Sequence, residues 1–304
     1  MPGINSAWIR TTAKCALKEY DDLGTLTDYI KELRIKHWVK NLFLFAAPFF
    51  GGVLFKGSTL YLALPAFASF SLCASAVYII NDIVDIKTDL LHPKKSRRPL
   101  ASGAISKKNA ALIALMLTVI SWFISFCISP NFFGLIVLYF SIQIAYSIYL
   151  KHIAVADIFS IASGFVIRVI AGGAAFHVTV SRWLLITMFM ISLVLAAGKR
   201  LGEVRLLHEK VEAHRKSLDA HFISTLNEIL LISAAGSLIS YALYTVEQFP
   251  NLIYTVPVVT FGLFRYLLIS KKGGGDPTEA LTGDKWLAAT VIVWLLMIGV
   301  LRYN

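Results

Sequence analysis

The chain is a succession of long apolar runs separated by short polar breaks. Near-continuous apolar stretches fall at about 39–56, 60–80, 109–129, 131–150, 153–176, 182–198, 226–246, 251–270 and 286–303. A helix needs about 20 apolar residues to cross the roughly 30 Å hydrocarbon core of a bilayer, and most of these runs supply them. None alternates apolar with polar residues, so they predict spanning helices and not barrel strands. The first and sixth runs are the shortest and predict marginal spans: tilted, re-entrant or packed inside the bundle. The expected fold is an all-α integral membrane protein with about nine transmembrane helices in a bundle. A different pattern precedes the first run. Leu23, Leu26, Ile30 and Leu33 recur at helical spacing beside Lys31, Arg34 and Lys36. That pattern predicts an amphipathic helix lying on the membrane surface. The chain thus divides into an N-terminal cytoplasmic segment, 1–38, and a transmembrane domain, 39–304.

Composition agrees: 57% of residues are hydrophobic and only 15% charged, against roughly 25% charged in soluble domains. The formal charge is +11, and its placement gives the topology. With the N-terminus in the cytoplasm, nine spans put 1–38, 81–108, 151–152, 199–225 and 271–285 on the inner side. Those segments hold most of the Lys and Arg residues, whereas the outer side keeps Lys56, Arg182 and Arg302. This asymmetry follows the positive-inside rule and predicts a multi-pass protein of a bacterial-type cytoplasmic membrane. The basic charge is therefore a topology signal first, and no nucleic-acid partner is expected. The outer loops are a few residues long. The inner segments 81–108 and 199–225 are long and charged, which predicts cytoplasmic cap loops after the second and sixth helices and puts function on that face. Cys15, Cys73 and Cys127 form neither a metal-type spacing nor a disulfide framework. Residues 1–38 show no apolar core of a cleavable signal. Gly273-Gly274-Gly275-Asp276-Pro277 reads as a loop by its breakers.

The richest chemistry sits where the second span meets the inner side: Asn81-Asp82-Ile83-Val84-Asp85-Ile86-Lys87-Thr88-Asp89, then His92-Pro93-Lys94-Lys95-Ser96-Arg97-Arg98-Pro99. On a helix continuing from the span, at about 100° per residue, Asn81, Asp85 and Asp89 fall at about 0°, 40° and 80°, with Asp82 at about 100°. Four oxygen-bearing side chains on one face suit Mg²⁺, which takes oxygen ligands and completes its shell with water and substrate phosphate. Without His or Cys in the cluster, zinc is the poorer fit. A solvated helix end with ordinary surface acids is the plain alternative. Arg97 and Arg98, and after them Lys94 and Lys95, supply donors for phosphate, although part of this block also faces anionic lipid. A second polar cluster is Gly198-Lys199-Arg200-x-x-Glu203-x-Arg205, in which Lys199 and Glu203 stand four apart and could pair on a helix. Asp157 and Arg168 lie within the fifth run. Asp157 is near the inner end, while Arg168 is deep enough to require a polar cavity or an internal partner. Lys36, Lys40 and Asn41 mark the inner end of the first span, beside an interfacial Trp38.

Taken together these segments resemble the UbiA superfamily of intramembrane prenyltransferases, and most closely its branch of polyprenyl-phosphate (decaprenyl-phosphate) 5-phosphoribosyltransferases. Arg34-Ile35-Lys36-His37-Trp38-Val39-Lys40-Asn41 is similar to that branch's entry into the first span. Asn81 through Gly103 follows its extended first motif. Tyr146-Ser147, Lys151-His152, Asp157, Gly164-Phe165-Val166-Ile167-Arg168 and Gly172-Gly173 resemble its middle, and Gly198-Lys199-Arg200-x-x-Glu203 its second motif. Arg265-Tyr266 and the Gly273–Pro277 loop resemble its last inner loop. The likeness covers about residues 30–300. It departs from the aromatic-acceptor members, which carry a second aspartate-rich motif where this chain has Lys199-Arg200-x-x-Glu203.

The resemblance implies transfer of a 5-phosphoribosyl group from phosphoribosyl diphosphate to a polyprenyl phosphate, with Mg²⁺ as cofactor and inversion at ribose C1. It implies Asp82, Asp85 and Asp89 as catalytic residues, and with Asn81 as metal ligands. Lys36, Lys40, Asn41, Lys95, Arg97, Arg98, Lys151, Arg168, Lys199 and Arg200 become the candidates for substrate phosphates. Tyr146, Asp157 and Glu203 are further site candidates. Two rival readings stand beside it: transfer of a polyprenyl group from its diphosphate to an aromatic acceptor, and a non-catalytic lipid-binding or transport protein. Chain length of the lipid, the fate of the pentose and the oligomeric state, a homo-oligomer included, stay open.

Overall fold

The computed structural model describes residues 25–91, 95–153, 155–208 and 216–303; the side chains of Glu203 and of residues 205–208 and 216–222 lie outside the description. Among the described residues every regular element is helical. In chain order they are α1 (Leu26–Glu32), a 3-10 segment (Ile35–Phe45) running into α2 (Ala46–Phe50), α3 (Gly57–Leu90), α4 (Lys107–Ile128), α5 (Pro130–Ile148) and α6 (Ala156–Phe176). Then follow α7 (Arg182–His208), α8 (Lys216–Gln248), α9 (Val256–Lys271), α10 (Pro277–Gly283) and α11 (Lys285–Tyr303). Helix starts follow local chemistry. Ser129 caps α5 by accepting from Phe132 N–H at 3.1 Å, with Pro130 at the first helical position, where its missing N–H costs nothing.

Among the described residues eight helices are long and apolar enough to cross a membrane: α3 to α9, the last with its leading turn at Pro250–Thr255, and α11. The predicted first span at 39–56 is not among them. Lys40 and Asn41 interrupt its apolar run, and residues 35–45 wind as a 3-10 helix, unusually long for a form seldom sustained beyond a few residues. The stretch still runs the depth of the bundle. Arg34, at its start, is bonded to Asp82 near the far end of α3. At its other end the carbonyls of Phe50 and Gly51 accept from Arg302 at 3.2 and 3.0 Å. The tighter winding helps, since 3-10 geometry rises about 2.0 Å per residue against about 1.5 Å, so residues 35–50 extend about 30 Å. The predicted cap loops also change. No Gly or Pro interrupts 81–90, so α3 continues to Leu90, and α7 continues to His208. The motifs assigned to inner loops are therefore largely helical, while 92–94 and 209–215 lie outside the described residues, as does 1–24.

Helix α6 joins the two halves of the core. Its Ile167, Ala171 and Ala175 pack with Leu44, with Phe70, Cys73 and Val77 of α3, and with Phe132 and Ile136 of α5. Its Ile158 and Ala162 pack with Leu193 and Ala197 of α7, Leu226 and Leu230 of α8, and Leu263 of α9. The outward faces carry exposed Leu112, Leu115, Phe123 and Phe126 on α4 and Ile292 and Leu296 on α11, as lipid contact requires. Small residues allow the closest approach. A Cβ on Gly172 would lie 1.8 Å from the Leu44 carbonyl oxygen. Gly172→Ala is therefore expected to push the 3-10 segment off α6 and to cost about 1–3 kcal/mol, the usual scale of overpacking. A lowered thermal midpoint in detergent checks this; an unchanged midpoint contradicts it.

Candidate active site

The polar end of α3 brings its four side chains to one face, as the helical spacing predicts. Asp82 and Asp89 are buried, at 2% and 4% exposure, and buried carboxylates require charged partners. Asp82 takes both oxygens to Arg34 Nη2, one at 2.6 Å, and accepts from Arg98 Nη1 at 2.9 Å. The same Arg98 nitrogen donates to Asp89 at 2.5 Å. Asp85 accepts from Lys151, which the 3-10 turn Leu150–His152 delivers from beyond α5, and from Asn81 Nδ2 at 3.2 Å. Arg34, just ahead of the 3-10 segment, holds a left-handed backbone (φ 52°, ψ 46°). Non-glycine residues seldom adopt that conformation, and such strain concentrates at functional sites. Glu32 lies against Asp82. Burial first, and then the Asp82 carboxylate, push its carboxyl up to about 7.

A second cluster stands on α7. Arg200 grips both carboxylate oxygens of Asp157 and donates to Tyr146 Oη at 2.8 Å. Asp157, a candidate from its place near the end of the fifth run, is thus a buried partner of Arg200. The Gly273–Pro277 loop closes over the neighbouring turn of α7. Tyr266 Oη donates to the Gly275 carbonyl at 2.9 Å, and a Cβ on Gly275 would lie 1.8 Å from the Gly198 carbonyl oxygen. This places Asp276, the N-cap of α10, near Lys40 and Lys199. Burial alone would raise the Asp276 carboxyl, but Lys40, Lys199 and the N–H groups of Glu279 and Thr278 hold it below its ordinary 3.8. The charges of Arg34, Lys40, Lys199 and Asp276 all act on His37, so the two clusters meet at the start of the 3-10 segment.

Linkage then gives a sign. A depressed carboxyl contributes stability that is present above its unfolded pKa and lost as pH falls through the folded value. The loop over Lys199 should loosen below about pH 4, and in Asp276→Asn it should be loose already at neutral pH. Hydrogen exchange of residues 273–283 reads this directly; equal protection in wild type and variant at pH 7 contradicts it.

Several predicted phosphate ligands occupy other places. Arg168 is buried, with Nε on Asn41 Oδ1 at 2.8 Å, Nη1 on the Gly164 carbonyl at 2.7 Å and Nη2 on Tyr139 Oη at 3.0 Å. The faces of Phe70, Tyr139 and Phe165 surround its guanidinium. Asn41 is fully buried and gives Nδ2 to Ser71 Oγ at 2.9 Å. These two side chains bind the 3-10 segment to α6 and α3 inside the bundle, where the expectation had placed them on substrate phosphates. Lys36 and Arg97 are exposed and Lys95 half-buried at the same end of the molecule. The predicted Lys199–Glu203 pair involves a side chain outside the description, and His92-Pro93-Lys94 also lie outside it. Arg34, Glu32 and Asp276 were not among the predicted site residues. Arg34 and Asp276 carried a signal as charges beside conformational breaks, Arg34 at the start of the first span and Asp276 between three glycines and a proline.

The donor set suits a hard divalent cation. Among the described residues no three of the acids converge on one point. Asp82 and Asp89 do share one, and a nitrogen of Arg98 lies there, within 2.9 and 2.5 Å of their oxygens. A positive centre thus already bridges the two carboxylates, while Asn81 and Asp85 are bonded to each other on the same helix. These are the oxygen ligands that Mg²⁺ takes.

A bundle of helices apolar enough to cross a membrane, with acids on one helix end and cations on another, defines a membrane-embedded protein whose polar end suits phosphorylated ligands. The chain belongs to the UbiA prenyltransferase family, whose model matches residues 42–290. It is 34% identical over 280 residues to a decaprenyl-phosphate phosphoribosyltransferase of Mycobacterium tuberculosis, covering 89% of this chain and 92% of the relative. It is also 34% identical over 298 residues to the decaprenyl-phosphate phosphoribosyltransferase of Mycolicibacterium smegmatis, covering 90% and 92%. Among solved structures, a UbiA homologue from Archaeoglobus fulgidus bound to GPP and Mg²⁺ superposes with a TM-score of 0.70 at 18% identity, over 91% of this chain and all of that one. At that identity the likeness shows the fold.

Proposed function

We propose that this protein transfers the 5-phosphoribosyl group of phosphoribosyl diphosphate to a polyprenyl phosphate, releasing diphosphate. The 34% identity to phosphoribosyltransferases across nearly the full length of both chains supports it. The observation that carries it within the site is the sign of the second cluster: Lys199 and Arg200 stand where a second acidic motif would serve a single diphosphate and its metals. A site with acids on one side and cations on the other suits two phosphorylated substrates.

Asp82, Asp85 and Asp89, with Asn81, would hold Mg²⁺, which when bound supplies charge stabilisation to the departing diphosphate. Arg34, Arg98 and Lys151 are paired with these carboxylates. They are placed to move onto diphosphate oxygens, where a guanidinium fork matches phosphate geometry. Arg200, aimed by Asp157 and Tyr146, together with Lys40 and Lys199 receives the lipid phosphate. One lipid phosphate oxygen bonds to ribose C1 while the C1–O bond to diphosphate breaks and its electron pair leaves with diphosphate. The attacking phosphate is already an anion, so no proton has to move and no general base is needed. Positioning two anions against each other's repulsion is the main task, and holding reactants in line is worth up to about 7–11 kcal/mol. The inner-side concentration of Lys and Arg supports a cytoplasmic active site with the polyprenyl tail lying along the apolar outer faces.

The test uses purified protein in nanodiscs with Mg²⁺, decaprenyl phosphate and ribose-labelled phosphoribosyl diphosphate. Label entering the lipid phase, and only with both substrates present, is the expected result. No labelled lipid, with polyprenyl diphosphate and hydroxybenzoate reacting instead, overturns the reading in favour of aromatic prenylation.

A further inference from the structure

A 3-10 helix turns once every three residues, so side chains three apart stand in one row. The rows of the Ile35–Phe45 segment differ sharply. Trp38, Asn41 and Leu44 turn into the bundle: Trp38 Nε1 donates to Ser75 Oγ at 3.0 Å, Asn41 Nδ2 donates to Ser71 Oγ at 2.9 Å, and Leu44 is fully buried. Lys36, Val39 and Leu42 are exposed. His37, Lys40 and Phe43 make the third row, half-buried along its length. Arg34 stands one turn ahead of it, where its carbonyl accepts from the His37 N–H at 2.7 Å. Arg34 and His37 also share the ring of Tyr78 on α3. The guanidinium lies 5.1 Å and the imidazole 5.5 Å from its centroid. At the other end of the row Phe43 meets Phe165 of α6 edge to face at 5.1 Å.

One atom in this row is unsatisfied. His37 Nδ1 is buried and has no hydrogen-bond partner, whereas buried polar atoms are normally paired. Arg34 turns away from it to Asp82. Burial first, and then the charges of Lys40 and Arg34, lower the His37 pKa to about 4, so the ring is neutral at neutral pH. A neutral imidazole has one N–H donor and one acceptor nitrogen. Phosphate oxygens only accept, and the cations on either side of His37 suit them better. A hydroxyl both donates and accepts, so it matches Nδ1 in either tautomer.

The order of the row also matches the order of the reacting groups. Arg34 stands at Asp82, on the side of the departing diphosphate, and Lys40 stands on the side of the lipid phosphate. His37 lies between them, one turn or about 6 Å of helix from each. Between those two phosphates the substrates offer the ribose, whose 2-hydroxyl adjoins C1. We propose that His37 binds a ribose hydroxyl of the phosphoribosyl donor through Nδ1, and so makes the site selective for a hydroxylated sugar between its two phosphate-binding ends. This rests on the reading of the reaction as phosphoribosyl transfer.

The test compares phosphoribosyl diphosphate with its 2-deoxy and 3-deoxy analogues as donors to decaprenyl phosphate, using full-length protein in nanodiscs. The readout is kcat/KM for the natural donor divided by that for each analogue. Comparing this ratio between proteins cancels the intrinsic reactivity of the analogues. His37→Phe keeps a ring on Tyr78 but removes the nitrogen, and for one analogue the ratio should fall about tenfold, the scale of one lost buried hydrogen bond. His37→Asn puts an amide where Nδ1 stood and should keep most of the wild-type ratio. A residue that only packs would lower the rates with all three donors alike. Unchanged ratios for both analogues in His37→Phe therefore overturn the inference while leaving the reaction itself in place. If His37→Phe does not fold, His37→Leu, smaller and equally without nitrogen, is read by the same two outcomes. Failure of the wild type to transfer ribose from phosphoribosyl diphosphate overturns the reading of the reaction instead, and the inference with it.

Discussion

Asp85→Ala is expected to lower kcat/KM for phosphoribosyl diphosphate by about two to three orders of magnitude, the range measured when one preorganised charge-stabilising group is removed. The protein should remain folded. Asp85 is the least buried of the three aspartates in ion pairs on α3, with 22% of its side chain exposed, and its partner Lys151 sits at 13%. A partly wet pair contributes about 1 kcal/mol or less, so the lost activity cannot be a folding defect. The same change at Asp82 would strip a partner from both Arg34 and Arg98 and confound the two effects. Raising Mg²⁺ should restore part of the Asp85→Ala activity, since the remaining ligands still bind metal weakly. An Asp85→Ala protein with full transfer activity would remove this carboxylate from the site.

The second large effect is on stability. Arg168→Leu is expected to cost about 3–5 kcal/mol, because it leaves Asn41, Tyr139 and the Gly164 carbonyl buried without their shared donor. Denaturation in detergent should show the loss. Variant that still folds should keep KM values close to wild type for both substrates. A phosphate-binding arginine would behave in the opposite way, with stability retained and KM raised. That outcome would return Arg168 to the site.

The contrast between these residues shows how much the sequence carried. The α3 face was legible because its four polar residues lie within one helix, where spacing alone fixes direction, and an uninterrupted 81–90 keeps that helix intact. The spanning helices were legible as apolar runs, although α3 and α7 continue past them into polar sequence that still favours helix. Arg168 was legible only as a deep charge needing an internal partner. Which partner it found depends on Asn41 and Tyr139, 127 and 29 residues away along the chain, and no local pattern encodes such a contact. The 3-10 segment was hidden because its charges and apolar residues read equally well as the start of a short α-helical span. Glu32 carried no signal of its own within an amphipathic pattern. Only the docking of α1 on α3 turns it inward, and only the fold of the Gly273–Asp276 loop onto Gly198 brings Asp276 to Lys199.

The central claim is that the lipid phosphate is the nucleophile and the diphosphate on ribose is the leaving group. Polyprenyl phosphate carrying ¹⁸O in its three terminal oxygens, incubated with the protein, Mg²⁺ and phosphoribosyl diphosphate, tests it by mass spectrometry of both products. The account predicts that all ¹⁸O stays in the lipid product, with one labelled oxygen bridging to ribose C1, and that the released diphosphate carries none. Release of ¹⁸O-labelled phosphate would mean that the prenyl–oxygen bond breaks, and would contradict it.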